Sequence, residues 1–270
     1  MSARVLIFDS GLGGLSVARA VRAHLPEADL VYAADNAAFP YGDWGEEALV
    51  DRISAVMDTL ELQVRPDTAV IACNTASTVA LEALREQFKL PFVGTVPAIK
   101  PAAEVSQSGI IGVLATPGTV EREYTRALID TYAYHRNVVL HGSQRLAGMA
   151  EAALRGVPVK QSALAAEIAP AFAKRNGQRT DVLVLGCTHY PLIAEEIAAA
   201  APWPVELIDP SGAIARQVGN ILAEARETYT QSPLAFNAVM TKADPVQSAV
   251  LEREGFGRCK ILTGLLTSHL

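Results

Sequence analysis

Two cysteines occupy the positions in this sequence that are best suited to chemistry. Cys73 ends the apolar run AVIAC, and Cys187 ends the run VLVLGC. Runs rich in Val, Ile and Leu and followed by polar residues indicate buried parallel strands, whose carboxyl ends carry the reactive groups of open α/β sheets. We therefore predict that both thiols lie at strand ends facing a crevice. Two thiols on opposite sides of one ligand could take a proton from one face of a carbon atom and return one to the other face.

Polar residues follow each of these thiols. Asn74 and Thr75 follow the first at a predicted helix start, where backbone amides and the helix dipole favour a thiolate. Thr188 and His189 follow the second, and an imidazole is the usual partner of a thiol that exchanges protons near neutral pH. A lone cysteine at a strand end is more often a small packed hydrophobic residue. Two cysteines in matched positions favour catalysis instead.

The cysteine count argues against a disulfide framework or a metal site. The sequence has 3 cysteines and no CxxC pair, so reduced thiols are expected. Cys187 and His189 could not complete a tetrahedral zinc site alone, because no further ligand stands at a suitable spacing. We expect no metal, and we interpret the third cysteine, Cys259, as structural because it lacks polar neighbours of the kind described above.

Two further segments could contact a ligand. The segment DSGLGGLS (9–16) indicates a strand, a glycine-rich turn and a helix, which suits close backbone approach and anion binding. A dinucleotide fingerprint would need Gly or Ala at Ser16, so nucleotide binding is disfavoured, and a turn that only serves the fold stays possible. The loop ADNAAFPYGDW (34–44) follows a predicted strand, where loops line crevices, although a plain surface loop is the simpler interpretation.

The composition narrows the classes of function. The chain has 270 residues, 50% of them hydrophobic and 19% charged, which is typical of a compact globular protein. A formal net charge of −6 disfavours nucleic acid and anionic membranes as partners. No apolar stretch approaches about 18 residues, and the sequence begins directly with a strand, not with a signal peptide. We expect a cytoplasmic protein that acts on a small molecule.

Strands and helices alternate along the chain, which predicts βαβ units and an α/β fold with mostly parallel sheets. Asp9 and Thr116 stand at nearly the same offset as Cys73 and Cys187, which suggests a tandem duplication. We predict a linker at 97–108 and few clear elements after residue 230. The predicted strands are 5–11, 29–35, 69–73, 91–96, 109–120 and 181–189, and the predicted helices are 14–26, 46–63, 74–88 and about 212–228.

The motifs together resemble one known family, the glutamate racemases of the aspartate/glutamate racemase superfamily. The similar segments are DSGLGGLSV (9–17), FPYG (39–42), ACNTAS (72–77), ATPGT (115–119) and GCTHYPL (186–192). The resemblance implies a cofactor-independent racemase that supplies D-glutamate for peptidoglycan. It also implies two pseudo-symmetric α/β domains with the active site in the crevice between them. The expected domains are 1–97 with 211–270, carrying Cys73, and 98–210, carrying Cys187.

The same resemblance assigns roles to individual residues. Cys73 would deprotonate D-glutamate and Cys187 would deprotonate L-glutamate, while Asp9 assists the first thiol and His189 the second. No lysine lies in these motifs, so nothing suggests a Schiff base with pyridoxal phosphate. The expected substrate-binding residues are Ser10, Pro40, Tyr41, Gly42, Asn74, Thr75, Thr119, Glu151 and Thr188.

Several points stay open at the level of sequence. The family usually has an Asp-Thr pair where Asp35 is followed here by Asn36. The resemblance implies a homodimer, and we expect no binding to DNA gyrase, because that activity is associated with an N-terminal extension. An aspartate or hydantoin racemase would use similar thiols, and a non-catalytic amino-acid-binding regulator would need neither thiol.

Overall fold

The computed structural model describes residues 2–225 and 233–263, which divide into two compact units. Unit 1 comprises the described residues of Met1–Thr95 and Ser211–Leu270, and unit 2 is Val96–Pro210. The strands in chain order are β1 (Arg4–Asp9), β2 (Asp29–Ala34), β3 (Thr68–Ile71), β4 (Phe92–Gly94), β5 (Ile110–Ala115), β6 (Asn137–Gly142), β7 (Lys174–Arg175), β8 (Gln178–Arg179), β9 (Val182–Gly186), β10 (Glu206–Ile208), β11 (Ala238–Met240) and β12 (Cys259–Ile261).

Helices flank these strands. They are α1 (Leu15–His24), α2 (Glu46–Val64), α3 (Asn74–Gln87), α4 (Ile99–Val105), α5 (Pro117–Val120), α6 (Glu123–Tyr132), α7 (Leu146–Leu154), α8 (Gln161–Ile168), α9 (Ala194–Ala200), α10 (Ser211–Glu224) and α11 (Pro245–Arg253). Short 3-10 turns cover Tyr41–Asp43, Ala169–Ala171 and Tyr190–Ile193. The final residues of the helix predicted at 212–228 lie outside the described residues.

Both main sheets are parallel, so the predicted α/β class is confirmed. The sheet of unit 1 has the order β12-β11-β2-β1-β3-β4, and that of unit 2 has the order β10-β9-β5-β6. Strands β7 and β8 form a separate antiparallel hairpin. Every residue of β1 is buried, as expected for a central strand covered on both faces.

The two main sheets share a common order. The order β2-β1-β3-β4 in unit 1 corresponds to β6-β5-β9-β10 in unit 2. Cys73 and Cys187 follow β3 and β9, which are corresponding strands. The correspondence is what a tandem duplication of one βα arrangement would produce. Strands β11 and β12, which extend the sheet beyond β2, belong to unit 1 alone.

Three segments differ from the sequence prediction. The predicted linker 97–108 contains helix α4, because proline is tolerated in a first helical turn and Pro101 lies there. The strand predicted within 109–120 stops at Ala115, where Thr116 caps α5 by accepting a hydrogen bond from the Thr119 amide at 3.3 Å.

The tail after 230 supplies β11, α11 and β12. Its two strands have three residues each, too few to show a period of two. Helix α11 has a clear start signal that sequence analysis missed, since Asp244 caps it and Pro245 is its first residue.

No helix among the described residues is long and apolar enough to cross a membrane. Within the same residues, no group of three or more His, Cys, Asp or Glu side chains could hold a metal ion.

Candidate active site

The first thiol, Cys73, lies two residues beyond β3 and directly before α3. Its carbonyl oxygen accepts a hydrogen bond from the Ser77 amide at 2.8 Å, which starts the helix. The thiol therefore stands at the amino end of a 14-residue helix, where backbone amides and the helix dipole favour negative charge. Ser10 Oγ lies 4.0 Å from Cys73 Sγ, within the range of a sulfur hydrogen bond. Because 8% of Cys73 is exposed, the thiol lies at the boundary between core and surface.

Asp9 ends β1 and leads into the glycine-rich turn. It is fully buried, and its Oδ1 accepts a hydrogen bond from the Gly11 amide at 2.7 Å. A Cβ on Gly14 would stand 2.9 Å from Asp9 Cβ and 3.2 Å from Ala72 Cβ, so this close approach requires glycine. The turn thus packs directly against the residue that precedes Cys73. This packing explains the glycine without a nucleotide.

A buried carboxylate, Asp35, organises the loop that follows β2. Arg52 donates to it through Nη2 at 2.7 Å and Nε at 3.0 Å, Tyr41 through its hydroxyl at 2.8 Å, and Thr241 through Oγ1 at 2.7 Å. Burial raises the pKa of Tyr41 well above its ordinary value, and the charges of Asp35 and Cys73 add to the rise. The Tyr41 hydroxyl is therefore engaged within the fold, which leaves its backbone for the ligand contact expected of this residue.

Asn36, the residue that departs from the family pattern, ties the same loop to the C-terminal segment. Its Nδ2 donates to Gln247 Oε1 at 2.7 Å and to the Lys242 carbonyl at 2.8 Å, and its Oδ1 accepts from the Lys242 amide at 2.9 Å. The loop after β2 is thus held from both Asp35 and Asn36. In it, Pro40 is exposed and Gly42 is half-buried, so both residues are accessible.

The second thiol, Cys187, directly follows β9 and belongs to a different chemical setting. Its Sγ lies 3.8 Å from His189 Nδ1, and His189 Nε2 lies 3.0 Å from Glu151 Oε1. Arg155 Nε stands 3.7 Å from the other oxygen of Glu151, one helical turn along α7. Cys187, His189 and Glu151 are all buried. A thiol, an imidazole and a carboxylate in this order can pass a proton and stabilise the charge that the transfer leaves.

The family resemblance predicts that Glu151 binds the substrate, and the structure adds a contact with a side chain beside the second thiol. Its Oε1 lies within hydrogen-bond distance of the imidazole of His189, an arrangement that suits a carboxylate that orients the ring. The Tyr190 hydroxyl donates to the Ala115 carbonyl at 3.1 Å on the same side of the sheet. Burial and then the neighbouring Cys187 raise the pKa of Tyr190 well above its ordinary value.

The remaining expected residues lie at the carboxyl edges of the two sheets. Thr119 is fully buried in α5, and its hydroxyl is 2.9 Å from that of Thr116, which follows β5. Asn74 and Thr75 form the buried start of α3, and Thr188 is buried next to the second thiol. All are hydroxyl or amide side chains, which suit the binding of carboxylate and ammonium groups.

Comparison with known proteins decides the family. Residues 15–218 match the family described as Asp/Glu/Hydantoin racemase. The chain belongs to this racemase family. The glutamate racemase of Agrobacterium fabrum is 49% identical over 254 residues, covering 94% of this chain and 93% of that protein. The glutamate racemase of Brucella canis is 48% identical over 257 residues, covering 94% of this chain and 92% of that protein.

Solved racemase structures share the fold. Escherichia coli glutamate racemase in complex with L-glutamate and the activator UDP-MurNAc-Ala superposes with a TM-score of 0.90 and 41% identity, covering 97% of this chain and 98% of that chain. Glutamate racemase isoform RacE1 from Bacillus anthracis gives a TM-score of 0.79 and 26% identity, covering 97% and 96%. The family resemblance predicted from the motifs is confirmed.

The sequence did not identify Arg52 or Thr241 as residues near the site of this racemase. It drew attention to Asp35 only because Asn36 follows it. Asp35 directly follows a buried strand, the same signal that singled out Cys73. Thr241 lies 206 residues away in sequence, and only the fold brings it to Asp35.

Proposed function

We propose that this racemase interconverts L- and D-glutamate without a cofactor, using Cys73 and Cys187 as two bases. The observation that carries the proposal is the placement of the two thiols after corresponding strands, β3 and β9, of two sheets with the same order. The glutamate racemases of Agrobacterium fabrum and Brucella canis, each nearly half identical over almost the whole chain, support glutamate as the substrate.

In the direction from D- to L-glutamate, Cys73 takes the α-proton as a thiolate. The amino end of α3 favours the thiolate electrostatically, and Ser10 lies close enough to hydrogen-bond the sulfur. Asp9, at the end of the neighbouring strand β1, assists this thiol. Cys187 then delivers its proton to the opposite face of the α-carbon.

From L- to D-glutamate the roles exchange. Cys187 takes the α-proton, and His189, held by Glu151, accepts and returns the thiol proton. We propose His189 as the residue that assists this thiol and Glu151 as its positioning residue. A carboxylate in contact with an imidazole stabilises the protonated ring, so this pair helps the thiol to lose its proton.

In either direction, a carbanion exists between removal of the α-proton and delivery of the new proton. It needs stabilisation, since an α-proton next to a carboxylate is weakly acidic. We propose that the substrate is held by Ser10, Asn74, Thr75, Thr119 and Thr188, and by the loop residues Pro40, Tyr41 and Gly42. These residues offer hydroxyls, amides and backbone groups, which are the donors that bind carboxylates. Tyr41 contributes through its backbone, because its hydroxyl already donates to Asp35.

We also propose the wider setting that the family resemblance implies. Residues 1–97 with 211–270 and residues 98–210 act as the two domains of the racemase. The protein works in the cytoplasm as a homodimer and supplies D-glutamate for peptidoglycan, with no nucleic-acid or membrane partner and no binding to gyrase.

Proton NMR in D₂O tests the activity. Purified protein is incubated with L-glutamate and no added cofactor, and loss of the α-proton signal is followed together with optical rotation. We expect exchange accompanied by racemisation. Exchange with L-aspartate but not with glutamate would contradict the substrate assignment, and no exchange with any acidic amino acid would favour a non-catalytic binder.

A further inference from the structure

A cavity of about 770 Å³ lies in unit 2, away from the candidate active site. Its wall includes Ile110 and Asn137, the first residues of β5 and β6. Cys187 and Thr116 follow the carboxyl ends of β9 and β5. The cavity is therefore at the opposite edge of the same sheet, roughly 20 Å away for strands of this length.

The charged side chains that line the cavity are cations, in a chain whose formal net charge is −6. Arg136 and Arg175 line it together with His135, and the described lining residues include no Asp or Glu. Neither arginine forms an ion pair in the part of the chain that the structure describes.

Most donors of Arg136 are not used by the fold. Its Nη2 donates to the Ala103 carbonyl at 2.9 Å, whereas its Nε is buried and makes no hydrogen bond among the described residues. A guanidinium has five N–H donors, so the donors of Nη1 and the second donor of Nη2 remain for a ligand. Gly109 has a φ of 70°, and Arg136 Nη1 would stand 3.6 Å from a Cβ at that position. The positive φ favours glycine at this position, and the contact places the turn beside the guanidinium.

The β7–β8 hairpin directs Arg175 toward the cavity. Lys174 pairs with Arg179 across the hairpin, and both cations lie over the Trp203 ring, at 5.0 and 5.5 Å. Arg175 pairs with Gln178 on the other face, and both line the cavity. The hairpin is thus fixed by cation–π contacts on one face while it presents a cation and an amide on the other.

Asn137 holds the Arg175 guanidinium in place. With its side-chain amide oriented so that Oδ1 faces the arginine, it accepts from Nε and Nη1 at 3.0 Å each. Nη2 remains available. The carboxylate of Asp181 contacts the neighbouring turn, but hydrogen bonds from Ser106, Ser108 and the Gln107 amide occupy it. Asp181 stays charged, because these hydrogen bonds lower its pKa, but it forms no ion pair with either arginine among the described residues.

We propose that this cavity binds a small phosphate-bearing metabolite, with Arg136 and Arg175 as the two charged contacts. A guanidinium presents its donors as a planar fork that matches the oxygens of phosphate, and two forks suit a dianion. Ser108, Asn137 and Gln178 supply neutral polar groups in the same wall. The site is independent of glutamate racemisation, since no candidate active-site residue lines it.

Isothermal titration calorimetry at low salt tests the site, with inorganic phosphate and pyrophosphate as probes. We expect saturable binding of both to the full-length protein, weakened by added salt as screening predicts. Arg175→Gln and Arg136→Gln should each weaken binding about tenfold or more, because each removes charge-assisted hydrogen bonds. Arg216→Gln removes an equal charge from the exposed face of α10 in unit 1 and should leave the dissociation constant unchanged.

Three results would overturn the proposal. They are no binding of either probe, equal loss of binding in Arg216→Gln and Arg175→Gln, and binding of succinate as tight as that of phosphate. Arg136 also contacts the Ala103 carbonyl, so its variant is checked by thermal unfolding. Arg175 is exposed and decides the outcome if the Arg136 variant does not fold.

Discussion

The two units share a strand order but surround their thiols with different groups. In unit 1, Cys73 stands at the amino end of the 14-residue helix α3, beside the hydroxyl of Ser10. In unit 2, the short 3-10 turn Tyr190–Ile193 follows Cys187, and the thiol contacts the imidazole of His189. The first thiol thus lies at a helix end beside a hydroxyl, whereas the second lies beside an imidazole.

The comparison shows that the two units keep a thiol after corresponding strands but differ in the groups that contact it. The residues that follow the corresponding strands β2 and β6 also differ in their contacts. Asp35, after β2, is an acceptor for Arg52, whereas Ser143, after β6, donates to Glu167 at 2.6 Å. A two-base enzyme requires both thiols, but it does not require them to be equivalent.

The largest expected effect comes from removing either thiol. Cys73→Ala and Cys187→Ala should each lower racemisation by about 10⁴-fold or more, because one base cannot deliver a proton to the opposite face. Cys259→Ala, on the edge strand β12, should keep full activity. The measurement is the rate of D-glutamate formation from L-glutamate. A rate above about a hundredth of the normal rate in Cys73→Ala or Cys187→Ala would contradict the proposal that both thiols are required.

Replacing the His189 imidazole tests whether the two thiols differ in the groups that assist them. His189→Asn should lower kcat about 10²-fold with L-glutamate and less with D-glutamate, because only Cys187 depends on the ring. The two values of kcat/KM should fall together, since the enantiomers have equal free energy in solution. His24→Asn, exposed at the end of α1, is the control. Equal losses of kcat in both directions would indicate a structural role.

Glu151 tests the same difference between the two directions, because it contacts His189 and not the thiol itself. Glu151→Gln keeps a hydrogen-bonding oxygen near His189 but removes the charge, so kcat with L-glutamate should fall about tenfold. Glu195→Gln on α9 is a matched control at an exposed site. A pH profile of kcat distinguishes the roles, because loss of the carboxylate should shift the limb that reports His189. An unchanged profile would argue that Glu151 only supports packing.

A smaller effect is expected from the contact between the loop and the C-terminal segment in unit 1. Thr241→Val removes one of the four hydrogen bonds to Asp35 and should destabilise the protein by about 1 kcal/mol. It should also raise KM for glutamate more than it lowers kcat. Thr59→Val, within α2, is the control, because it removes a threonine hydrogen bond to the Ala55 carbonyl without contact to the loop. Urea unfolding and steady-state kinetics on both variants provide the comparison.

The smallest effect concerns alkaline pH. Because the folded pKa of Tyr41 is raised above its unfolded value, its contribution to stability is fully present below about pH 10 and is lost as the pH rises further. Tyr41→Phe should cost about 1 kcal/mol at neutral pH and show a shallower alkaline decline. Urea unfolding between about pH 8 and 11 measures both, with the exposed Tyr124→Phe as control. An identical decline in the Tyr41 variant would contradict the assignment.

The sequence predicted well what short-range patterns encode. The apolar runs before Cys73 and Cys187 located β3 and β9, and the Asn-Thr pair located the start of α3. Patterns could not reveal the partner of a side chain that is distant in sequence. The contact of Glu151 with His189 spans 38 residues, and that of Asp35 with Thr241 spans 206. The three-residue strands of the C-terminal segment were also too short to recognise.

The two-base claim is tested most directly by the position of deuterium early in the reaction. Wild-type protein is given L-glutamate in D₂O, and both enantiomers are separated and analysed for α-deuterium before about a tenth of the substrate has reacted. The experiment is then repeated from D-glutamate. If one thiol removes the α-proton and the other delivers a deuteron, the product carries deuterium in each direction while the remaining substrate keeps its α-proton. Deuterium that enters the remaining substrate as fast as the product would show that one base serves both faces, and would contradict the account.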